Sequence, residues 1–225
     1  MAGFSVREVE GMRQVRIALD EETVRTRRGA LSNLHGNIRV TARLPRPGDL
    51  FRSMFTNEAR VRPSYSGTGV INLQPSLGGY HMLGVEDQRW VLEPGVFWAA
   101  EDGVRLGLYR ERIIPSLWAG DGLLVWKTTV AGHGDVAINA PGPVDVVSLE
   151  NEELRVQGRL VLGRTAGLRF SSRRASTFFR SFLVGQRRLR VFSGTGKVLV
   201  CWTPYWNHHM YQRMTGEDIE GSLFE

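Results

Sequence analysis

Gly67-Thr68-Gly69-Val70-Ile71-Asn72-Leu73 recurs as Gly132-His133-Gly134-Asp135-Val136-Ala137-Ile138 and again as Gly194-Thr195-Gly196-Lys197-Val198-Leu199-Val200. Each copy is a glycine pair, then a Val or Ile two places on and another aliphatic residue two beyond that. The first glycines, at 67, 132 and 194, stand 65 and 62 residues apart. A second landmark, a glycine beside an alternating stretch, falls at Gly29, Gly95 and Gly158, spaced 66 and 63 residues. A third, serine followed by two bulky apolar residues, falls at Ser53-Met54-Phe55, Ser116-Leu117-Trp118 and Ser181-Phe182-Leu183, spaced 63 and 65. Three independent landmarks with one period predict a threefold internal repeat.

The segments between these landmarks read as strands. Val15-x-Ile17-x-Leu19 alternates, and short apolar runs stand at Trp90–Leu92, Val96–Trp98, Leu123–Trp126, Leu160–Leu162 and Val198–Trp202. Such runs between turn-forming residues suit pleated, half-buried surfaces. The glycine pairs are expected to form tight turns feeding the strand that follows, where positive φ is free of the Cβ penalty. Helix is expected only as the short stretches Leu50–Thr56 and Thr177–Leu183, and Leu44–Pro47 and Ala140–Pro143 read as loops. The predicted class is all-β. A module of about 60 residues buries little surface and leaves strand edges open, so three copies are expected to share a core around a pseudo-threefold axis. The boundaries fall at 1–83, 84–147 and 148–225, the last module including a tail from Tyr205 with no counterpart in the other two.

Composition sets the broad class. The chain has 225 residues, 42% hydrophobic and 23% charged, with 26 glycines, as in an ordinary globular protein. No apolar run approaches the ~18–20 residues a membrane span needs, and no signal peptide is read at the N-terminus, so a cytoplasmic protein is expected. Cys201 is the single cysteine and sits in an apolar strand, where a buried, inert thiol is expected. Lys127 and Lys197 are the only lysines among 29 basic residues, leaving 27 arginines against 23 acids and a net charge of +6.

The repeat landmarks resemble the altered-inheritance-of-mitochondria "Aim twenty-four" family, whose modules are similar to those of the tryptophan RNA-binding attenuation protein (TRAP). The likeness runs from about Val15 to Trp202 and is carried most by Trp90–Ala100, Trp118–Ile138 and Phe192–Val200. It implies three tandem TRAP-like β-sandwich modules of jelly-roll type in one compact unit. It supplies no catalytic residue, and likeness of fold transmits neither tryptophan nor RNA binding. Where family members often carry Gly-Glu-Gly before a strand, this chain has Gly120-Asp121-Gly122 and Gly185-Gln186-Arg187, which weakens any shared acidic site.

No nucleophile or phosphate-loop signature is complete. Ser193–Lys197 lacks the earlier glycine, with Val191 in its place, and lacks the hydroxyl residue, with Val198 following the lysine. The histidines, His35, His81, His133, His208 and His209, show no metal-ligand spacing, so no cofactor is expected and a metal-dependent cupin-like enzyme is the remote alternative. The paired acids Glu21-Glu22 and Glu152-Glu153 fall at similar repeat positions and read as scaffold. Arginine clusters remain: Arg25, Arg27 and Arg28 in the first repeat, and Arg173, Arg174, Arg187, Arg188 and Arg190 in the third. On a strand Arg188 and Arg190 share a face, expected to be solvated, which is a candidate stripe for RNA or anionic lipid. Phe178, Phe179 and Phe182 lie among those arginines, but repeat symmetry places Phe182 with core residues. The resulting expectation is a non-enzymatic scaffold or binding protein able to self-associate as a homo-oligomer, with an RNA or anionic-lipid binder as the alternative.

Overall fold

The computed structural model describes residues 2–42, 62–76, 78–110, 126–174 and 188–203. Within them the chain is all-β, with one short 3-10 turn, Gly158–Leu160, and no α-helix. The predicted helical stretches, the three Ser-apolar-apolar landmarks and the tail from Tyr205 lie outside the described residues.

Four strands precede residue 74: β1 (Gly3–Val9), β2 (Met12–Thr26), β3 (Leu31–Ala42) and β4 (Pro63–Leu73). The middle of the chain gives β5 (Tyr80–Glu86), β6 (Trp90–Leu92), β7 (Phe97–Glu101), β8 (Val104–Arg110) and β9 (Trp126–Asn139). The remainder gives β10 (Val144–Val156), β11 (Val161–Thr165), β12 (Arg169–Arg174) and β13 (Arg188–Cys201). All pairings are antiparallel, and the main path through the 13-stranded sheet runs β10-β13-β11-β6-β9-β7-β2-β4-β3. Off this path β1 pairs with β2, β12 with β13, and β5 and β8 with β9. The predicted Trp90–Leu92 run is β6, and Ala140–Pro143 is the loop between β9 and β10.

The glycine pairs sit in the long strands β4, β9 and β13, inside the ladder. They are not the tight turns their sequence suggested. Each faces a kink in the neighbouring strand. Opposite Gly67 and Gly69, Leu19 pairs with Gly69 and Glu22 with Gly67, so β2 carries one residue more than β4 there. Opposite Gly194 and Gly196, Leu149 pairs with Gly196 and Glu152 with Gly194, the same one-residue bulge. In the middle copy Val85 pairs with Gly134, and the Asp87 N–H then donates to the Gly132 carbonyl at 3.1 Å. At each kink one non-glycine residue adopts a left-handed backbone: Glu21 at φ 60°, Asp87 at φ 56° and Asn151 at φ 58°. A bulge bends its strand and sharpens the twist.

Glycine is required opposite the kink for two reasons. Gly67 and Gly69 have φ of 129° and 154°, a region closed to side chains. A Cβ on Gly67 would also run into the Asn37 carbonyl oxygen of β3, and one on Gly69 into that of His35. In the other two copies a neighbouring side chain uses the space: Glu101 Oε2 accepts the Asp135 N–H at 2.9 Å, and Thr165 Oγ1 accepts that of Lys197 at 3.0 Å.

Two short joints connect the strand groups. Val24, Arg25 and Thr26 of β2 pair with Glu101, Ala100 and Ala99 of β7. Trp90, Val91 and Leu92 of β6 pair with Thr165, Arg164 and Gly163 of β11. Apolar packing crosses both joints. Ala99, Ala137 and Tyr80 pack with Val15, Ile17 and Ile71, while Leu162, Leu199 and Cys201 pack with Trp90, Leu92 and Val130. A third cluster, around Phe192, Leu168 and Val198, fills the β10–β13 end. The path does not return on itself among the described residues: β10 and β3 are its two ends.

Gly67→Ala should lower the urea midpoint by an amount equivalent to at least 1–3 kcal/mol, roughly the backbone strain alone. Gly84→Ala, where a Cβ would make only an ordinary van der Waals contact with Asp135, should leave the midpoint unchanged or slightly raised. Equal midpoints for the two variants would contradict this account of the glycine pairs.

Candidate functional site

Among the described residues a dense charged cluster lies inside the protein. Four neighbouring strands of the sheet path each bring one charged residue: Glu93 directly after β6, Lys127 on β9, Arg164 on β11 and Arg190 on β13. β6 is buried along its whole length, and its last turn is pinned by the Glu93 N–H donating to the Leu162 carbonyl at 2.8 Å. That pin directs the carboxylate across the joint. Lys127 Nζ donates to Glu93 Oε1 at 2.8 Å, and Arg190 Nη1 lies 3.1 Å from Oε2. The Lys127 side chain is only 1% exposed.

Aromatic rings close the cluster. Phe170 of β12 has Lys127 Nζ 5.3 Å and the Arg164 guanidinium 5.6 Å from its ring centre. Arg164 also stacks on Tyr109 of β8 at 5.5 Å. Ring faces carry negative quadrupole potential and stabilise cations removed from water. Burial by itself would raise the Glu93 carboxyl, but Arg190, Lys127 and Arg164 outweigh it and hold it at about 2. A carboxylate held ionised in this way does not serve as a general acid near neutral pH. Its evident task is to join β6, β9, β11 and β13 by charge.

Nothing in the strand pattern pointed to Glu93 or Arg164. The one signal was compositional: Lys127 is one of two lysines in a chain with 27 arginines. A compact ammonium fits where a planar guanidinium fork would not.

The predicted arginine face is not one surface. Arg25 and Arg27 lie on and beside β2, and four strands of the path, β7, β9, β6 and β11, stand between β2 and β13. Arg25 Nη2 donates to the Asp102 carbonyl at 2.6 Å and to Asp102 Oδ1 at 2.9 Å. Arg27 donates to the Gly95 carbonyl at 3.3 Å and stacks over Trp98. Both therefore tie the first joint. Arg28 is exposed. Arg173 is exposed and lies 3.4 Å from Glu153, which also accepts from Arg155 Nε at 2.7 Å. The hydrogen bond from Arg155 keeps the Glu153 carboxyl below its usual range. Arg190, expected on a solvated face, is 8% exposed and turned to Glu93. Arg174 and Arg188 face each other in register on β12 and β13. Their side chains, and all of Arg187, lie outside the described residues. The six repeat glycines, Gly67, Gly69, Gly132, Gly134, Gly194 and Gly196, shape the ladder as set out above.

Of the histidines, His35 is exposed on β3, His81 is half-buried on β5 with its imidazole pushed down by burial, and His133 pairs with Asp87 at 3.2 Å. His208 and His209 lie outside the described residues. No group of three His, Cys, Asp or Glu side chains converges among the described residues. Cys201 is fully buried. An open cleft of about 510 Å³ lies beside the third glycine pair, with Arg89, Lys197 and Glu150 on its walls. Among the described residues no helix is long and apolar enough to cross a membrane.

Replacing Glu93 with Gln leaves three buried cations facing a neutral group, and should cost about 3–5 kcal/mol of stability, as for other buried pairs broken on one side. Glu153→Gln, on the surface, should leave the midpoint nearly unchanged. The sign with pH follows from the depressed Glu93 carboxyl. Its contribution is complete above the ordinary value of 4.5 and is lost as pH falls towards about 2. Chemical denaturation from pH 6 down to pH 2 should show a loss in wild type that is smaller in Glu93→Gln.

No curated protein sequence matches the chain. Among solved structures, the X-ray structure of protein SPYM3_0169 from Streptococcus pyogenes superposes with a TM-score of 0.70 at 19% identity, covering 96% of this chain and 100% of that one. At that identity the likeness is one of fold. The family model described as "Mitochondrial biogenesis AIM24" matches residues 4–201, nearly the whole length over which the strands, the joints and the buried charge cluster are built. The chain belongs to the mitochondrial biogenesis AIM24 family.

Proposed function

We propose that this protein is a non-enzymatic β-scaffold or binding protein, built from three TRAP-like modules over residues 1–83, 84–147 and 148–225 and working in the cytoplasm. The observation that carries this reading is the placement of its charged groups. The residues that most resemble a reactive constellation, Glu93 with Lys127, Arg164 and Arg190, are sealed between strands and ringed by Phe170 and Tyr109. There they hold the sheet together. The modular part of the reading is supported by the local device that recurs at Glu21, Asp87 and Asn151 opposite the three glycine pairs.

The second reading is a binder of RNA or anionic lipid. Arg28 and Arg173 favour it, because both are exposed, and a guanidinium fork suits phosphate. Against it, Arg25, Arg27 and Arg190 are engaged within the fold.

The two readings separate on salt dependence. Labelled mixed-sequence single-stranded RNA and anionic liposomes are titrated with the protein at low and near-physiological salt. The scaffold reading expects no binding to either at low salt. Binding that weakens about a hundredfold across that range would signal several phosphate contacts and replace the scaffold reading. Arg28→Ala and Arg173→Ala should then reduce it further.

A further inference from the structure

We propose that copies of this chain join head to tail, the end of β10 in one copy pairing with the start of β3 in the next. The two joints inside the chain specify this third one. In the first, the β2 residues that pair with β7 are Val24–Thr26, three to five places after the left-handed Glu21. In the second, the β6 residues that pair with β11 are Trp90–Leu92, three to five places after the left-handed Asp87. The same count from the left-handed Asn151 gives Leu154–Val156 of β10.

The receiving strand is specified as closely. The central residue of each joint, Ala100 on β7 and Arg164 on β11, lies opposite Val136 and Val198, two places beyond the second glycine of its pair. In the first copy that position is Ile71, and the residue opposite it is Leu34 on β3. The third joint therefore pairs Leu154 with His35, Arg155 with Leu34 and Val156 with Asn33.

Both halves are open in the single chain. Among the described residues Leu154–Val156 pair with β13 alone, and Asn33–His35 with β4 alone. The internal joints are buried: Val24, Thr26, Leu92 and Ala99 have no exposure. Asn33, Leu34, His35 and Arg155 are exposed, Leu34 at 38%. Long unpaired edges are templates for strand addition. The two halves stand at opposite ends of the sheet path, so the contact is heterologous, and it closes as a ring or continues as a filament according to the rotation per copy. Such assembly goes beyond the scaffold reading and is independent of what the protein binds.

Light scattering on the full chain at increasing concentration should give masses at multiples of 25.3 kDa. Leu34→Lys sets a cation opposite Arg155 and should return the mass to that of one chain. Leu34→Lys with Arg155→Glu should restore the multiples, which an unfolded variant would not do. Register is read with cysteines: Leu34→Cys mixed with a differently tagged Arg155→Cys should give a mixed disulfide dimer on mild oxidation, and neither alone should. A wild-type mass of one chain at every concentration would overturn the proposal. So would an unchanged mass in Leu34→Lys, or cross-linking of Leu34→Cys to itself as efficiently as to Arg155→Cys.

Discussion

Gly67 and Gly69 lie opposite the kink at Asp20-Glu21 of β2, while β3 passes on their other side so closely that a Cβ on either would meet a carbonyl oxygen, and the same kink recurs at Asp87 and Asn151. The extra residue in the partner strand bends it, and the bend lets one long strand serve two sets of neighbours. β9 pairs with β5 and β7 along one half and with β6 and β8 along the other. β13 does the same with β10, β11 and β12. Without the kinks a flat sheet would carry one neighbour on each side, and the short strands that form the joints would have no edge to meet.

The two joints are held by different chemistry, and the difference follows from what each must bury. At β2·β7 the contacts are Arg25 with Asp102 and Arg27 over Trp98, partly open to water, where such pairs contribute little individually. At β6·β11 the charges are buried. Desolvation there costs several kcal/mol per ion, offset by a carboxylate shared between cations and by aromatic faces above them. A buried set of this kind is a better determinant of strand alignment than of net stability. A register slip would strand a charge in the interior, whereas slipping an apolar joint would only repack it.

The scaffold reading and the family membership fit the same physical picture. The family match spans residues 4–201, which includes every strand except the first residue of β1. What that length builds is an extended sheet with its reactive groups enclosed and its two end strands exposed. This directs attention to the exposed stretches of β3 and β10 and away from any single residue.

The β class and the spacing of the three glycine pairs are legible in the residues alone. These are local demands: alternation records which side of a strand is covered, and a missing Cβ records a close approach wherever it occurs in the fold. The sequence also misdirected in a telling way, since a glycine pair reads equally as a turn or as a mid-strand crossing, and only the partner strand distinguishes them. Arg188 and Arg190 carry the same alternation as any solvated pair, yet Arg190 is interior because Glu93 arrives from beyond β11. Glu93 and Arg164 were illegible for the same reason, and Lys127 stood out only by its rarity. Which edges meet, and therefore which charges are enclosed, depends on contacts between residues far apart in the chain, and those were decided by the tertiary structure alone.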